Sequence, residues 1–277
     1  MKRILTLILV LAFLLLPFSA LATTPTAAST DSATSVRMPE TDYKAYAKAY
    51  CKKYGYKYTE SYAKAFKYAL SSLPDDYSKV DKSLPANLYQ QPYSTWADAK
   101  SMANYKKNFK TNAQLIKAIG AKEVALIMQS AKNYQSLGSN VDYKSIDEEA
   151  FKNAVKYYIS PKYDKSEFLE EVYQEISNWK LQKQGAFITD PTLVYQAADG
   201  MYRVRGRVVQ KYNNATKDFL ESGTKLNTWY YFDLELCMVK NSSKNHAKYV
   251  MDSWVYISNG WSKANTSLVS LAQKHMA

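Results

Sequence analysis

At Gly185 the hydrophobic period of this chain changes, and that change restricts the fold more than any single motif does. Before it, apolar residues recur every three or four positions, as on one face of a helix; after it they alternate with polar ones, as along a strand. Phe151, Val155, Tyr158 and Ile159 form one helical face, stopped by Pro161, and Phe168, Leu169, Val172, Tyr173 and Ile176 form another that runs toward Trp179. Ser145 with Glu148, and Asp164 with Glu167, have the three-residue spacing of capping pairs at the starts of those helices. Upstream, 111–119 and 121–137 read as helices that end at Gly120 and Gly138. Downstream, the pattern predicts short strands at 186–188 and 192–196 and long ones at 201–212, 228–239 and 248–257. The Asp199-Gly200 dipeptide and the stretch 241–246 supply the turns that make hairpins of the first and last pairs. Helices followed by an antiparallel meander define an α+β chain, divided here into a helical region at 40–138 and an α+β domain at 139–277.

The strand at 201–212 carries three of the five arginines of the sequence, at every second position. Alternation places Arg203, Arg205 and Arg207 on one face and Tyr202, Val204, Gly206 and Val208 on the other. The following strand sorts the same way, with Trp229, Tyr231, Asp233, Glu235 and Cys237 opposite Tyr230, Phe232, Leu234, Leu236 and Met238. The apolar faces are the ones expected to be covered. If the two strands are neighbours, two functions are open to the charged face. The arginines can be counter-charges to Asp233 and Glu235, in exposed cross-strand pairs of ~0.2–1 kcal/mol each. Or the sheet curls, and Arg203, Arg205, Arg207, Trp229, Asp233 and Glu235 line a concave face whose guanidinium forks take a carboxylate or phosphate from a ligand.

The first residues bear on where the chain works. Lys2 and Arg3 precede a mostly apolar run at 4–18, and Ala20-Leu21-Ala22 has small residues where a signal peptidase reads, so cleavage after Ala22 and export to the periplasm or medium are expected. The run is shorter than the ~20 residues of a membrane span, and no integral membrane segment is expected after processing. A polar leader, 23–39, follows. The chain has 37 Lys and Arg against 25 Asp and Glu, and loss of the signal would leave it strongly basic. That balance favours an anionic ligand, an envelope polymer or a protein partner; the lysines are scattered rather than packed in one block, and nucleic acid is not the expected partner. Cys51 and Cys237 are the two cysteines, and in an oxidising compartment they are the candidates for one disulfide, worth up to ~5 kcal/mol; two separate buried thiols are the alternative.

The sequence is rich in tyrosine, with 25 in all. Tyr43, Tyr46, Tyr50 and Tyr54 fall at helical spacing with lysines between them, and a second short helix carries Tyr62, Phe66 and Ala69 or Leu70 on one face. Such a stripe suits a packed face in which the ring is buried and the hydroxyl reaches water; stacking on a glycan or a single strand is the alternative use.

The two capped helices, "SIDEEAFKNAVKYYI" and "DKSEFLEEVYQEISNW", followed by strands ending in "WVYISNGW", resemble the nuclear transport factor 2-like superfamily over about 142–262. The resemblance implies a curved antiparallel sheet wrapped round helices into a cone with a pocket. Members of that superfamily are variously small enzymes, ligand binders and parts of secretion or conjugation machinery. It implies no site residues, because the superfamily has no motif shared by all members. This chain also lacks the Asp/His pair of the catalytic members and carries an extra stretch, "NNATKDFLESGTKLN".

Most catalytic chemistry lacks its residues. His246 and His275 are the only histidines, one in a turn and one near the end of the chain, so a Ser/His/Asp or Cys/His site has little to draw on. No Cys/His spacing suits a metal, eight glycines provide no phosphate loop, and no cofactor is expected. Asp75-Asp76 and Glu148-Glu149 read as a turn and a helix start, and Asn214, Asn241 and Asn265 begin glycosylation-type triplets. The expectation is an exported, non-enzymatic binding protein of the cell envelope that recognises an anionic or peptide-like partner. A small hydrolase-like pocket enzyme and a subunit of envelope secretion or conjugation machinery are the alternatives.

Overall fold

The computed structural model describes residues 104–276 apart from 221–223 and 258–259, together with scattered positions between 44 and 88. The signal segment, the leader and the tyrosine stripe lie outside the described residues. Six helices with defined bounds follow in chain order: α1 (Tyr105–Asn108), α2 (Asn112–Ile119), α3 (Ala121–Ser139), α4 (Glu148–Tyr158), α5 (Ser166–Asn178) and α6 (Thr266–Met276). Seven strands accompany them: β1 (Val141–Asp142), β2 (Gln182–Ile188), β3 (Val194–Gln196), β4 (Tyr202–Asn214), β5 (Tyr230–Lys240), β6 (Tyr249–Tyr256) and β7 (Ser262–Lys263). They form one antiparallel sheet in the order β1-β2-β4-β5-β6, with β3 beside the start of β4 and β7 beside the start of β5. The sheet is curled, and helices pack on it, so the α+β class read from the sequence is the class of the fold.

Local chemistry sets the helix ends, not always at the expected residue. Thr111 opens α2 with a full capping box, accepting from Gln114 N while the Gln114 side chain accepts from Thr111 N. α4 is capped by Asp147, whose carboxylate accepts from Ala150 N at 2.7 Å, and not by Ser145. Residues 142–146 are spent on a turn in which the amides of Ser145 and Ile146 both reach Asp142 O, so the helix begins later than the Ser145–Glu148 spacing predicts. In the same way Pro161–Tyr163 forms a 3-10 turn closed by Asp164 N, and α5 starts at Ser166. Gly138 does not stop α3, because nothing around it requires a left-handed backbone. The stop is Asn140, whose side chain leaves the helix and pairs with the backbone of Gly185, donating to its O at 2.9 Å and accepting from its N at 3.1 Å.

One apolar core joins the helices to the sheet. Leu115, Val124, Ile127 and Ala131 from α2 and α3 pack with Val155 and Leu169 against Val204, Val208, Phe232, Leu234, Leu236 and Met238. The boundary expected at 138 thus separates two parts of a shared hydrophobic core. Glu123 on α3 fixes the helix to β6, accepting from Lys248 Nζ at 2.6 Å and Tyr249 OH at 2.7 Å, and these bonds hold its carboxyl below the usual range.

The other face of the sheet is covered as well. Ala272 of α6, with Leu84 and Leu88, packs on Ala186, Ile188, Leu193 and Val209, and Leu268, Leu271, Trp229 and Tyr231 lean on the same cluster. The alternation pattern did not predict α6. Its capping residue is Asn265, whose Oδ1 accepts from Leu268 N at 2.9 Å, in a triplet that also reads as a glycosylation acceptor.

Candidate functional site

The register of β4 and β5 is the one that pairs the charges: Arg205 faces Glu235, Arg207 faces Asp233 and Arg203 faces Cys237. Arg205 Nε lies 2.5 Å from Glu235 Oε1. Arg207 grips Asp233 with two parallel bonds, Nε to Oδ1 at 2.7 Å and Nη2 to Oδ2 at 2.8 Å. Arg203 pairs with Asp199, in the turn between β3 and β4. The expected excess of arginines over acids on this face is therefore closed by a residue of the neighbouring turn.

The exposure of this face is the main correction to the sequence reading. Arg203, Arg205, Asp233 and Glu235 are at most 3% exposed and Arg207 is 8% exposed, so these are not solvent-facing pairs. Alternation shows which residues share a face, and a second covering layer decides whether that face is wet. Tyr195 of β3, also buried, completes the network. Its hydroxyl lies 2.9 Å from both Glu235 oxygens, and its ring lies 5.2 Å from the Arg205 guanidinium. Tyr195 and Asp199 were not among the predicted site residues; the signal for Asp199 was its position four residues before Arg203 across a tight turn. With their carboxylates paired and both sides of the sheet covered, Arg203, Arg205 and Glu235 are sealed from any ligand. Trp229 is half-buried at the start of β5, with Lys211 Nζ 5.4 Å from its ring.

Cys51 and Cys237 are both buried and both free, so the disulfide is not formed. Cys237 lies in mid-sheet, between Arg203 and Ser253 in the ladder, and burial pushes its thiol up to about 11. It remains a protonated, unreactive thiol at neutral pH.

The charged face is open at its Arg207 end. There a cleft of about 480 Å³ lies between α6, β7, residues 83–85 and the outer edge of Arg207 and Tyr231. Its described lining includes Arg207, Lys263 and Lys274, the polar residues Ser83, Asn265, Ser267 and Ser270, and the apolar residues Leu84, Pro85, Leu268 and Leu271; none of these is a carboxylate. The Arg207 guanidinium lies 4.1 Å from the Tyr231 ring centre and is held by Asp233 beneath it. Ser267, Ser270, Leu271 and Lys274 are spaced i, i+3, i+4, i+7 and so share one face of α6, while Ala272 goes into the core. Of the predicted ligand-binding residues, only Arg207 reaches this cleft; Lys263, Lys274 and the α6 serines lacked a sequence signal because the helix itself was not legible.

His246 is buried in its turn, with Nδ1 3.3 Å from Ser243 Oγ and Nε2 3.5 Å from Asp164 Oδ2. The Ser243 contact is made within one four-residue turn, both separations exceed a working proton-transfer bond, and Nε2 makes no hydrogen bond among the described residues. Among the described residues no group of three or more metal-ligating side chains occurs, and no helix is long and apolar enough to cross a membrane.

One acid stands apart from the paired charges. Glu175 on α5 is buried, and burial raises its carboxyl to about 7, partly offset by Lys183 on β2, whose own ammonium burial pushes down. The unfolded chain ionises Glu175 above about pH 4.5, whereas the folded chain keeps the proton to about 7, so the folded state binds more protons in that window. Its contribution to stability is fully present below pH 4.5 and is lost as pH rises through 7, an effect of about 3 kcal/mol at the upper limit. Glu175→Gln is therefore expected to match the wild type at pH 4 and to exceed it by about 2 kcal/mol at pH 8, measured by urea unfolding at both pH values. Equal stabilities at pH 8 would show that the carboxylate is well solvated.

Compared with known proteins, the chain matches no family model, no curated protein and no solved structure.

Proposed function

We propose that this chain is an exported, non-enzymatic binding protein of the cell envelope, and that its anionic partner docks in the cleft between α6 and the arginine end of the sheet. The observation that carries the reading is the difference between two sets of cations. Arg203, Arg205 and Arg207 each have a carboxylate, whereas Lys263 and Lys274 at the cleft mouth have no ion-pair partner among the described residues. Two uncompensated ammonium groups beside a third cation attract negative charge. The basic balance of the whole chain acts in the same direction, and the apolar run at 4–18 with Ala20 and Ala22 supports export. Kinship with the nuclear transport factor 2-like superfamily is part of the same proposal and rests on the sequence resemblance over about 142–262.

The reading has a direct test in thermal shift. Citrate, inorganic phosphate and heparin are expected to raise Tm at low ionic strength, and the rise should shrink at high salt as the charges are screened. Lys263 and Lys274 are exposed and unpaired, so Lys263→Ala/Lys274→Ala should change intrinsic stability by no more than about 0.5 kcal/mol while abolishing the shift. A wild type that none of these anions stabilises, or a variant stabilised as much as the wild type, would refute the site.

A further inference from the structure

Building on that reading, we propose that the cleft takes a small phosphate monoester, with its phosphate between Lys263 and Lys274 and its organic body on the wall made by Leu268, Leu271 and Tyr231. Size is the first argument. A volume of about 480 Å³ is that of a site for a single small molecule, in an open cleft with α6 on one side and residues 83–85 on the other.

Donor geometry is the second argument, and it separates phosphate from carboxylate. A planar carboxylate is best met by a guanidinium fork, but the two-pronged edge of Arg207 is already bonded to Asp233. What the cleft presents instead are two ammonium groups and the hydroxyls of Ser267 and Ser270, which are point donors that can approach from different directions. A tetrahedral head with three terminal oxygens and up to two negative charges suits that set better than a flat one. Helical spacing aims the α6 donors at the cleft together, because Ser267, Ser270 and Lys274 lie on one face.

The third argument is the apolar wall. Leu268 and Leu271 are only half-buried and flank the cationic rim, so a bare phosphate would leave them wet, whereas an esterified one covers them. Arg207 acts here as a positioning residue: fixed by Asp233, it holds Tyr231 flat at the cleft floor.

The experiment is calorimetric titration of the full chain at low ionic strength with phenyl phosphate, inorganic phosphate, benzoate and heparin. Phenyl phosphate is expected to bind about ten-fold more tightly than either inorganic phosphate or benzoate, as one hydrophobic contact or one charge-assisted bond would provide. Lys263→Ala and Lys274→Ala should each weaken phenyl phosphate by about ten-fold or more. Leu271→Ala should bring it to the level of inorganic phosphate, and if that variant does not fold the two lysine variants decide the matter. Benzoate binding as tightly as phenyl phosphate would overturn the choice of phosphate. Heparin binding without phenyl phosphate binding would overturn the small-molecule ligand and leave the anion-binding reading in place. Binding of none of the four would overturn both.

Discussion

Glu235→Ala is expected to destabilise the protein by about 3–5 kcal/mol, enough to unfold many domains of this size, because it leaves the Arg205 guanidinium buried with its nearest carboxylate gone. The same change in an exposed cross-strand pair would cost about 1 kcal/mol or less. The difference arises from desolvation. Arg205 and Glu235 have both left water, and the Tyr195 hydroxyl has committed its proton to the same carboxylate. The pair need not stabilise the fold relative to an apolar core, since bringing both ions out of water costs several kcal/mol. Replacing the whole unit, with Arg205→Met, Glu235→Leu and Tyr195→Phe together, is therefore expected to restore most of the loss, because no buried polar group is left behind. Denaturant unfolding of the single and triple variants measures this. A single variant within about 1 kcal/mol of the wild type would mean that water reaches the pair after all.

Gly206→Ala is the second large effect, about 3 kcal/mol or more. Gly206 sits between Arg205 and Arg207 but faces the opposite, apolar side of β4. A Cβ there would come 2.2 Å from Phe187 Cε2 and 2.8 Å from the backbone oxygen of Ile188. The ring can give way only by displacing its neighbours in the main core, and the backbone oxygen is held in the β2 to β4 ladder. Gly138→Ala is the matched control. No atom lies within 4 Å of a Cβ at that helical position, and the change should stabilise by about 0.5–1 kcal/mol. Thermal unfolding of both variants checks the pair, and a Gly206→Ala protein that melts with the wild type would mean the Phe187 ring has room to move.

Much of the sheet was legible from residue types alone. The alternation separated Arg203, Arg205 and Arg207 from Val204 and Val208, and Asp233 and Glu235 from Phe232, Leu234 and Leu236, which lie in the main core, and Asp199-Gly200 gave the turn, with Gly200 at φ +87 and Ala197 N bonded to Met201 O. That Arg-to-Asp and Arg-to-Glu pairs would form followed from that sorting once the strands were neighbours, and the register then chose Glu235 for Arg205 and Asp233 for Arg207. Helix starts were less legible, because Ser145 and Asp164 had the right spacing but neighbouring turns claimed their backbone. The cleft was not legible at all. Its lysines and serines come from β7 and α6, short elements near the end of the chain, and its floor comes from strands whose charged face was expected to be open.

Periodicity is a property of consecutive residues, and for that reason the sequence by itself determined the α+β class and the two faces of the arginine strand and of the strand after it, while the register that matches each arginine to its acid came from the fold. Burial is a property of what a distant segment lays on a face, so only the tertiary structure decided that the arginine face is dry. Ala272 and Leu268 on α6, with Leu84 and Leu88 from 180 residues or more earlier in the chain, close over Val209 and Ile188 on the face that also carries Arg205 and Arg207, where the expected exposed counter-charges are a buried network. The same closure leaves a cleft beside Arg207, where Lys263 and Lys274 stand without ion-pair partners among the described residues.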